Sequence, residues 1–359
     1  MRTTASILIT LLLLVFVSPI LAGESDATKP LATDNQGWLS WKALPDLPDR
    51  LGVAGPFVGV HNDALIIAGG ANFPVSDGED LWAADKIWHD DVWVLTRDGD
   101  QYKWRTGFKL NRAIGYGMCV STSRGIVCIG GNNGKKTFAD VFLLQWDAVN
   151  HKLIQSPLSP LPAACAFGAA TLIGDTIYVA GGQREGSLES ATTNFWRLTL
   201  PSSDSDLANT KWQALPAWPG PARAFNITIA QHNGFDDCVY IIGGRRQQDG
   251  VEGLPGIVPM DDVYEFNPKR FDAAEFNETT KQYNGQGEFA TPWRKRSDAP
   301  KPIMAGTAIA LGQSHIFIIG GASGELLKKI EKDEGFAKVH PGFAKHAWSY
   351  HTIDRKSVV

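Results

Sequence analysis

The residues best suited to chemistry in this 359-residue chain are arginines and carboxamides that recur beside paired glycines. Asn72 follows Gly69 and Gly70. Asn132 and Asn133 follow Gly130 and Gly131, Gln183 and Arg184 follow Gly181 and Gly182, and Arg245 and Arg246 follow Gly243 and Gly244. Arg112 and Arg223 open two of the segments that lead into small-residue strands. A guanidinium holds a carboxylate through two parallel hydrogen bonds, and a carboxamide both donates and accepts. Each residue also has a plainer reading: the asparagines supply turn geometry after glycine, and the arginines are solvated loop residues. Glu185 and Glu325 are the carboxylates near the same positions, able to act as a base or simply to face water. His61, His89, His340, His346 and His351 show no i, i+4 pairing, and Cys119, Cys128, Cys165 and Cys238 have no C-x-x-C spacing, so no metal site is expected.

The elements that must position these residues repeat five times. Apolar runs end in the glycine pair in "DALIIAGGANFP", "RGIVCIGGNN", "DTIYVAGGQR", "DCVYIIGGRR" and "SHIFIIGGAS". Upstream of each pair, 26 to 31 residues away, stands Trp41, Trp104, Ile154, Trp212 or Trp293, followed by a turn-forming stretch that is rich in proline in most units. Between the markers lies a small-residue strand, as in "RAIGYGMCV" and "RAFNITIAQ", and after the glycines a strand such as "DVWVL" or "DVYEF". Four short strands in about fifty residues, repeated, predict an all-β chain folded as a kelch-type β-propeller of four-stranded blades. The glycines are expected at the crowded axis, where a Cβ would clash, and the tryptophans on the outermost strands between blades. Extra length falls after the glycines, and loops that grow on one face of a constant scaffold are where ligands bind.

Residues 1–22 read as a secretory signal peptide, with Arg2, an apolar run from Ile7 to Val17 and a cleavage site near Ala22; an uncleaved anchor is the alternative. Residues 23–37 read as a linker and 38–359 as a single propeller domain. The mature chain is expected to be periplasmic or secreted, without stable membrane insertion. A net charge of -4 and no long basic block speak against nucleic acid. Cys119 and Cys128 fall on consecutive strands, where they could pair in an oxidising compartment or pack as small apolar groups. Asn226 and Asn277 lie in sequons, which matter only in a host that glycosylates exported proteins.

The run "GVAGPFVGVHNDALIIAGGANFP", followed by "DDVWVL" and "LNRAIGYGMCVSTSRGIVCIGGNN", resembles the bacterial kelch propellers that interconvert sialic acid anomers, the N-acetylneuraminate epimerase or mutarotase family. The likeness extends over all five units but starts at a different blade, as in cyclically permuted mutarotases. The resemblance implies an isomerase acting on N-acetylneuraminate or a related 2-keto sugar acid, with no cofactor. Anomerisation needs a base for the anomeric hydroxyl, an acid for the ring oxygen and a cation for the carboxylate. Arg112, in "RAIGYG", matches an Arg-Ala-Tyr-Gly stretch of the family and ranks first as carboxylate binder; Asn72, Asn132, Arg184, Arg223 and Arg245 complete the expected substrate-binding set. The family also implies six blades, the last carrying a Gly-Glu segment for proton transfer. No residue here matches that glutamate, about five blades are present, and the third strand of the fifth unit stands close to Val359, so a curtailed chain is expected, inactive where the blade carrying that glutamate is missing. "WLSWKALPDLPDR" is then expected to form the outer strand of a last blade whose other three strands come from the C-terminus, with Trp41 placed to pack onto those missing strands. The alternative is a non-catalytic kelch module that binds a glycan or protein; a kelch copper radical oxidase finds no Tyr and His cluster to support it.

Overall fold

The computed structural model describes residues 42–75, 84–248, 256–273, 276–277, 282–283, 291–325, 347–354 and 356–358. The signal peptide, the linker, Trp41, His340 and His346 lie outside the described residues. Five four-stranded antiparallel sheets stand in a ring, a five-bladed β-propeller. Blade 1 contains Phe57–His61, Ala64–Ala68, Asp91–Asp98 and Gln101–Lys109. Blade 2 contains Met118–Thr122, Gly125–Ile129, Val141–Asp147 and Lys152–Leu158. Blade 3 contains Ala169–Ile173, Thr176–Ala180, Phe195–Thr199 and Gln213–Ala214. Blade 4 contains Ile227–His232, Asp237–Gln247, Ile257–Phe266 and Trp293–Arg296. Blade 5 contains Met304–Leu311, His315–Ala322, Ala347–His351 and Lys356–Val358. The last of these is a correction: the fifth unit does have its outer strand, paired with Ser349, Tyr350 and His351.

The sheets of blades 2, 3 and 4 are covered on both faces by their neighbours, those of blades 1 and 5 on one face, and the second strand of each blade is the most apolar. Ile66, Cys128, Val179, Ile241 and Ile318 on these strands are wholly enclosed. The glycine pairs sit where the chain leaves them: a Cβ on Gly130 (φ 59°) would collide with the Cys165 carbonyl of the next blade. The outer tryptophans tie successive blades together. Trp104 Nε1 donates to the Pro45 carbonyl (3.1 Å), Trp212 to Ser159 (3.0 Å) and Trp293 to Pro216 (2.8 Å), each acceptor lying in the turn before the blade that carries the indole. Residues 42–50, the described part of the expected terminal outer strand, form no strand and supply instead the turn on which Trp104 latches.

Around the axis the blades are joined by a belt of amides. Tyr116 N–H donates to Gly55 (2.6 Å), Phe167 to Tyr116 (2.8 Å), Phe225 to Phe167 (2.7 Å) and Ala305 to Phe225 (3.0 Å). Each of these five residues has positive φ, between 54° and 62°, and in the last four the amide points to the preceding blade. No Gly55–Ala305 bond closes the belt. On the same two flanks Val60 of blade 1 is 54% exposed and Ile309 of blade 5 is 51% exposed, whereas Val120, which occupies the position of Ile309 in blade 2, is buried.

Candidate functional site

The belt residues fix the site. A bulky side chain in the left-handed region is strained, yet Tyr116, Phe167 and Phe225 all adopt it. Their rings stack in a column, Tyr116 on Phe167 at 4.8 Å and Phe167 on Phe225 at 4.7 Å between centroids. The residue just after each glycine pair is pinned beside this column by backbone pairing to the residue before the belt: Asn132 to Gly115, Gln183 to Ala166 and Arg245 to Ala224.

Arg245 caps one end of the column, its guanidinium carbon 4.3 Å from the Phe225 ring centroid. It is only 2% exposed, its Nε has no hydrogen-bond partner, and no carboxylate among the described residues pairs with it. Burial pulls its guanidinium down to about 9, still fully charged at neutral pH. Gln183 is equally enclosed; its Nε2 donates to the Glu185 carbonyl (3.3 Å) and its Oε1 is unpartnered. A buried cation without a counter-charge and a buried amide oxygen without a donor are each costly for a fold to carry without a ligand.

The other end is formed by a short arm, Lys86 with the two-residue strand Ile87–Trp88, which pairs with Ala71–Asn72. Trp88 Nε1 donates to Asn132 Oδ1 (3.1 Å), and its ring lies where a side chain on Gly134 would be. Lys86 Nζ lies 4.1 Å from the Tyr116 ring centroid and 4.7 Å from that of Trp88, and donates to the Tyr116 hydroxyl at 2.6 Å. Burial lowers the Lys86 ammonium to about 7 and pushes the Tyr116 phenol well above its usual value.

The structure distributes the residues expected from sequence over several roles. Arg245 and Asn132 join the column, and Gln183 lies beside them. Asn72 is buried, but its Nδ2 donates to the Gly52 carbonyl (2.8 Å) and its Oδ1 meets His89 Nε2 (2.7 Å), so it braces the chain ahead of blade 1. Arg223 is fully buried in a two-pronged pair with Asp262 (2.6 and 2.7 Å). Arg112 pairs with Asp140 at 3.1 Å, half-exposed, and lies over the Phe138 ring in a cleft between blades 1 and 2. Arg184, Glu185 and Glu325 are exposed, and Arg246 is half-buried. Among the described residues no His, Cys, Asp or Glu group is placed to hold a metal. All four cysteines are free thiols, with Cys119 directly opposite Cys128 on paired strands. Sequence reasoning missed Lys86, Trp88 and the three stacked rings. The rings were detectable by aligning the repeats at the residue two before each small-residue strand.

Residues 11–153, which take in blade 1 and the first three strands of blade 2, match the model of the N-acetylneuraminate epimerase family. Over these two blades the chain resembles those epimerases. N-acetylneuraminate epimerase of Haemophilus influenzae (strain PittEE) is 36% identical over 30% of this chain and 32% of its own length. Those of Brucella suis, at 33% over 31% of each chain, and Pasteurella multocida, at 31% over 38% of this chain and 39% of its own length, are similar. The chain thus spans about a third of the length of the curated relatives it matches. The solved structure of YjhT superposes with a TM-score of 0.61 at 13% identity, over 89% of this chain and 87% of that one, a likeness of fold. Tyr116, Asn132, Lys86 and Trp88 fall inside the epimerase-like segment, whereas Gln183, Phe225 and Arg245 fall beyond it.

Proposed function

We propose that this protein is an exported sugar-acid mutarotase that exchanges the anomers of N-acetylneuraminate or a related 2-keto sugar acid. The observation that carries the reading is Arg245, a buried guanidinium that lies over the Phe225 ring without a counter-charge among the described residues; Gln183, at the matching position of blade 3, has an unpartnered Oε1 as well. A carboxylate supplies the missing charge, and the amide oxygen takes a hydroxyl or amide N–H of the same ligand. The column of rings offers the apolar face a sugar stacks against. The signal-like residues 1–22 support export. The open ends of the amide belt, with exposed Val58, Val60, Ile309 and Leu311 beside them, support a ring with room for one further sheet, where the family's glutamate belongs. The absence of any carboxylate bonded within the column, among the described residues, supports a second reading, a module that binds sugar acids without turning them over. Exchange NMR on N-acetylneuraminate with the purified protein decides. Anomer exchange faster than the buffer rate, lost in Arg245→Met, supports the mutarotase. Binding without exchange supports the module, and neither leaves both readings without foundation.

A further inference from the structure

We propose that Cys119 and Cys128 are an oxidative modification site, a cross-strand disulfide that closes as blade 2 folds and replaces the hydrogen bond that Cys119 gives to blade 1. The inference stands apart from the sugar-acid reading and concerns the joint between the first two blades.

The strand register supplies the geometry. Met118–Thr122 and Gly125–Ile129 are joined by Ser123 and Arg124 alone. In a hairpin with a two-residue loop the closing pair, here Thr122 and Gly125, exchanges hydrogen bonds, and bonded and non-bonded pairs alternate from there. Cys119 and Cys128, three pairs further on, therefore meet at a non-hydrogen-bonded position, where opposite Cα atoms lie about 4.5 Å apart. That separation falls within the roughly 4.4–6.8 Å that a disulfide spans. Both side chains point to the same face of the sheet. Cys128 belongs to the apolar cluster shared with Phe57 and Ile66 of blade 1, and Cys119 packs against that cluster, whereas Met118, Val120, Val127 and Ile129 belong to the one shared with blade 3. Cys165 and Cys238 sit in other clusters, and neither stands opposite a cysteine.

The contacts of the free thiols show what oxidation exchanges. Cys119 Sγ accepts from the Val58 N–H (3.3 Å) and donates to the Val58 carbonyl (3.2 Å), meeting both edge groups of that residue on the innermost strand of blade 1. Ser121, two residues on, accepts from the Val60 N–H through its hydroxyl (2.9 Å), so a contact of this kind does not require sulfur. Val58 is 44% exposed, so water can take over the bond that Cys119 gives up. Burial raises the Cys119 thiol and lifts Cys128 well above its ordinary value, with the neighbouring Cys119 adding to the second, so the pair reacts while the hairpin is still open to solvent. The oxidant is a disulfide, carried by a small molecule or a protein. Cys119, the less enclosed of the two, attacks it as the thiolate, forming a mixed disulfide and releasing one thiolate. Cys128 then attacks the Cys119 sulfur and expels the second. Two thiols become one S–S bond, two electrons pass to the oxidant, and the two protons go to its released thiolates.

The test has two arms. In one, the reduced protein is unfolded in urea and refolded in a mixture of oxidised and reduced glutathione; in the other, the chain is produced in a bacterial periplasm, so the result does not hang on refolding yield. Remaining thiols of the folded protein are alkylated under denaturing conditions before mass analysis. Wild type should keep two alkylatable thiols of its four, with the tryptic peptides 113–124 and 125–135 recovered as one disulfide-linked pair. The Cys165→Ser, Cys238→Ser double variant should keep that linked pair, and Cys119→Ser should lose it. Oxidised wild type should melt about 2–5 °C above the same protein treated with reductant. Cys119→Ser, whose hydroxyl can still serve Val58, should show no such difference. Four alkylated thiols in folded protein from either arm, or a link from Cys119 or Cys128 to any other cysteine, overturns the proposal.

Discussion

Blade 4 holds two arginines buried to the same degree and partnered in opposite ways. Arg223 is 0% exposed, bonded to both oxygens of Asp262 and to the Gly243 carbonyl, between the rings of Trp218 and Tyr264. Arg245 is 2% exposed and meets an aromatic face with no acid. Taking a guanidinium out of water costs several kcal/mol, and an ion pair offsets that only with good geometry. Arg223 meets that condition within the fold. Arg245 leaves its cost uncompensated among the described residues, and under the proposed sugar-acid reading that difference in partners, not in burial, is what separates a structural arginine from a binding one.

The comparison breaks most sharply at Arg223. Arg223→Met strands Asp262 and should cost about 3–5 kcal/mol of stability, read from urea unfolding; an unchanged midpoint would make the two arginines equivalent. Arg245→Met removes an unpaired buried charge, so stability should hold or rise, while calorimetry shows N-acetylneuraminate affinity falling about 10- to 100-fold.

A second buried ion pair sharpens the contrast through pH. Burial alone would raise the Glu265 carboxyl, but Arg296 (2.7 and 2.8 Å), Asn233 and Tyr240 hold it below the usual value. Because the folded value is the lower one, this contribution is complete above the unfolded value of about 4.3 and disappears as pH falls through the folded one. Glu265→Gln should therefore flatten the acid limb of a thermal stability profile, and Arg245→Met should leave it unchanged. Phe225→Leu should weaken sugar-acid binding about five- to tenfold by removing the ring beneath Arg245. The smallest effect belongs to Arg112→Ala, whose half-exposed pair with Asp140 is worth under about 1 kcal/mol, with binding unchanged. A binding loss matching Arg245→Met would instead move the carboxylate site out to the cleft between blades 1 and 2.

Much of the fold was legible because the repeat writes the same physical demand five times. The glycine pairs marked positive φ and close approach at the axis, and Trp104, Trp212 and Trp293 marked the outer strands. The strand at Lys356–Val358 was missed because "KSV" has neither the tryptophan nor the turn signals that announced the other outer strands. The site was legible only in part. Arg223 and Arg245 stand alike in sequence, each within a repeat motif, and nothing local says that Asp262 reaches one and not the other. Lys86 lies in an insertion without repeat partners, so no alignment of units could single it out.

The sequence by itself determined the all-β class, the blade repeat and the polar residues that follow the glycines, because period, glycine and proline act on the backbone within a few residues. Only the tertiary structure decided which of those polar groups is neutralised and which is left waiting. Charge compensation depends on residues far apart in the chain meeting within blade 4, and ring stacking on side chains from neighbouring blades, and both meetings are set by how the strands pair and the sheets close on one another.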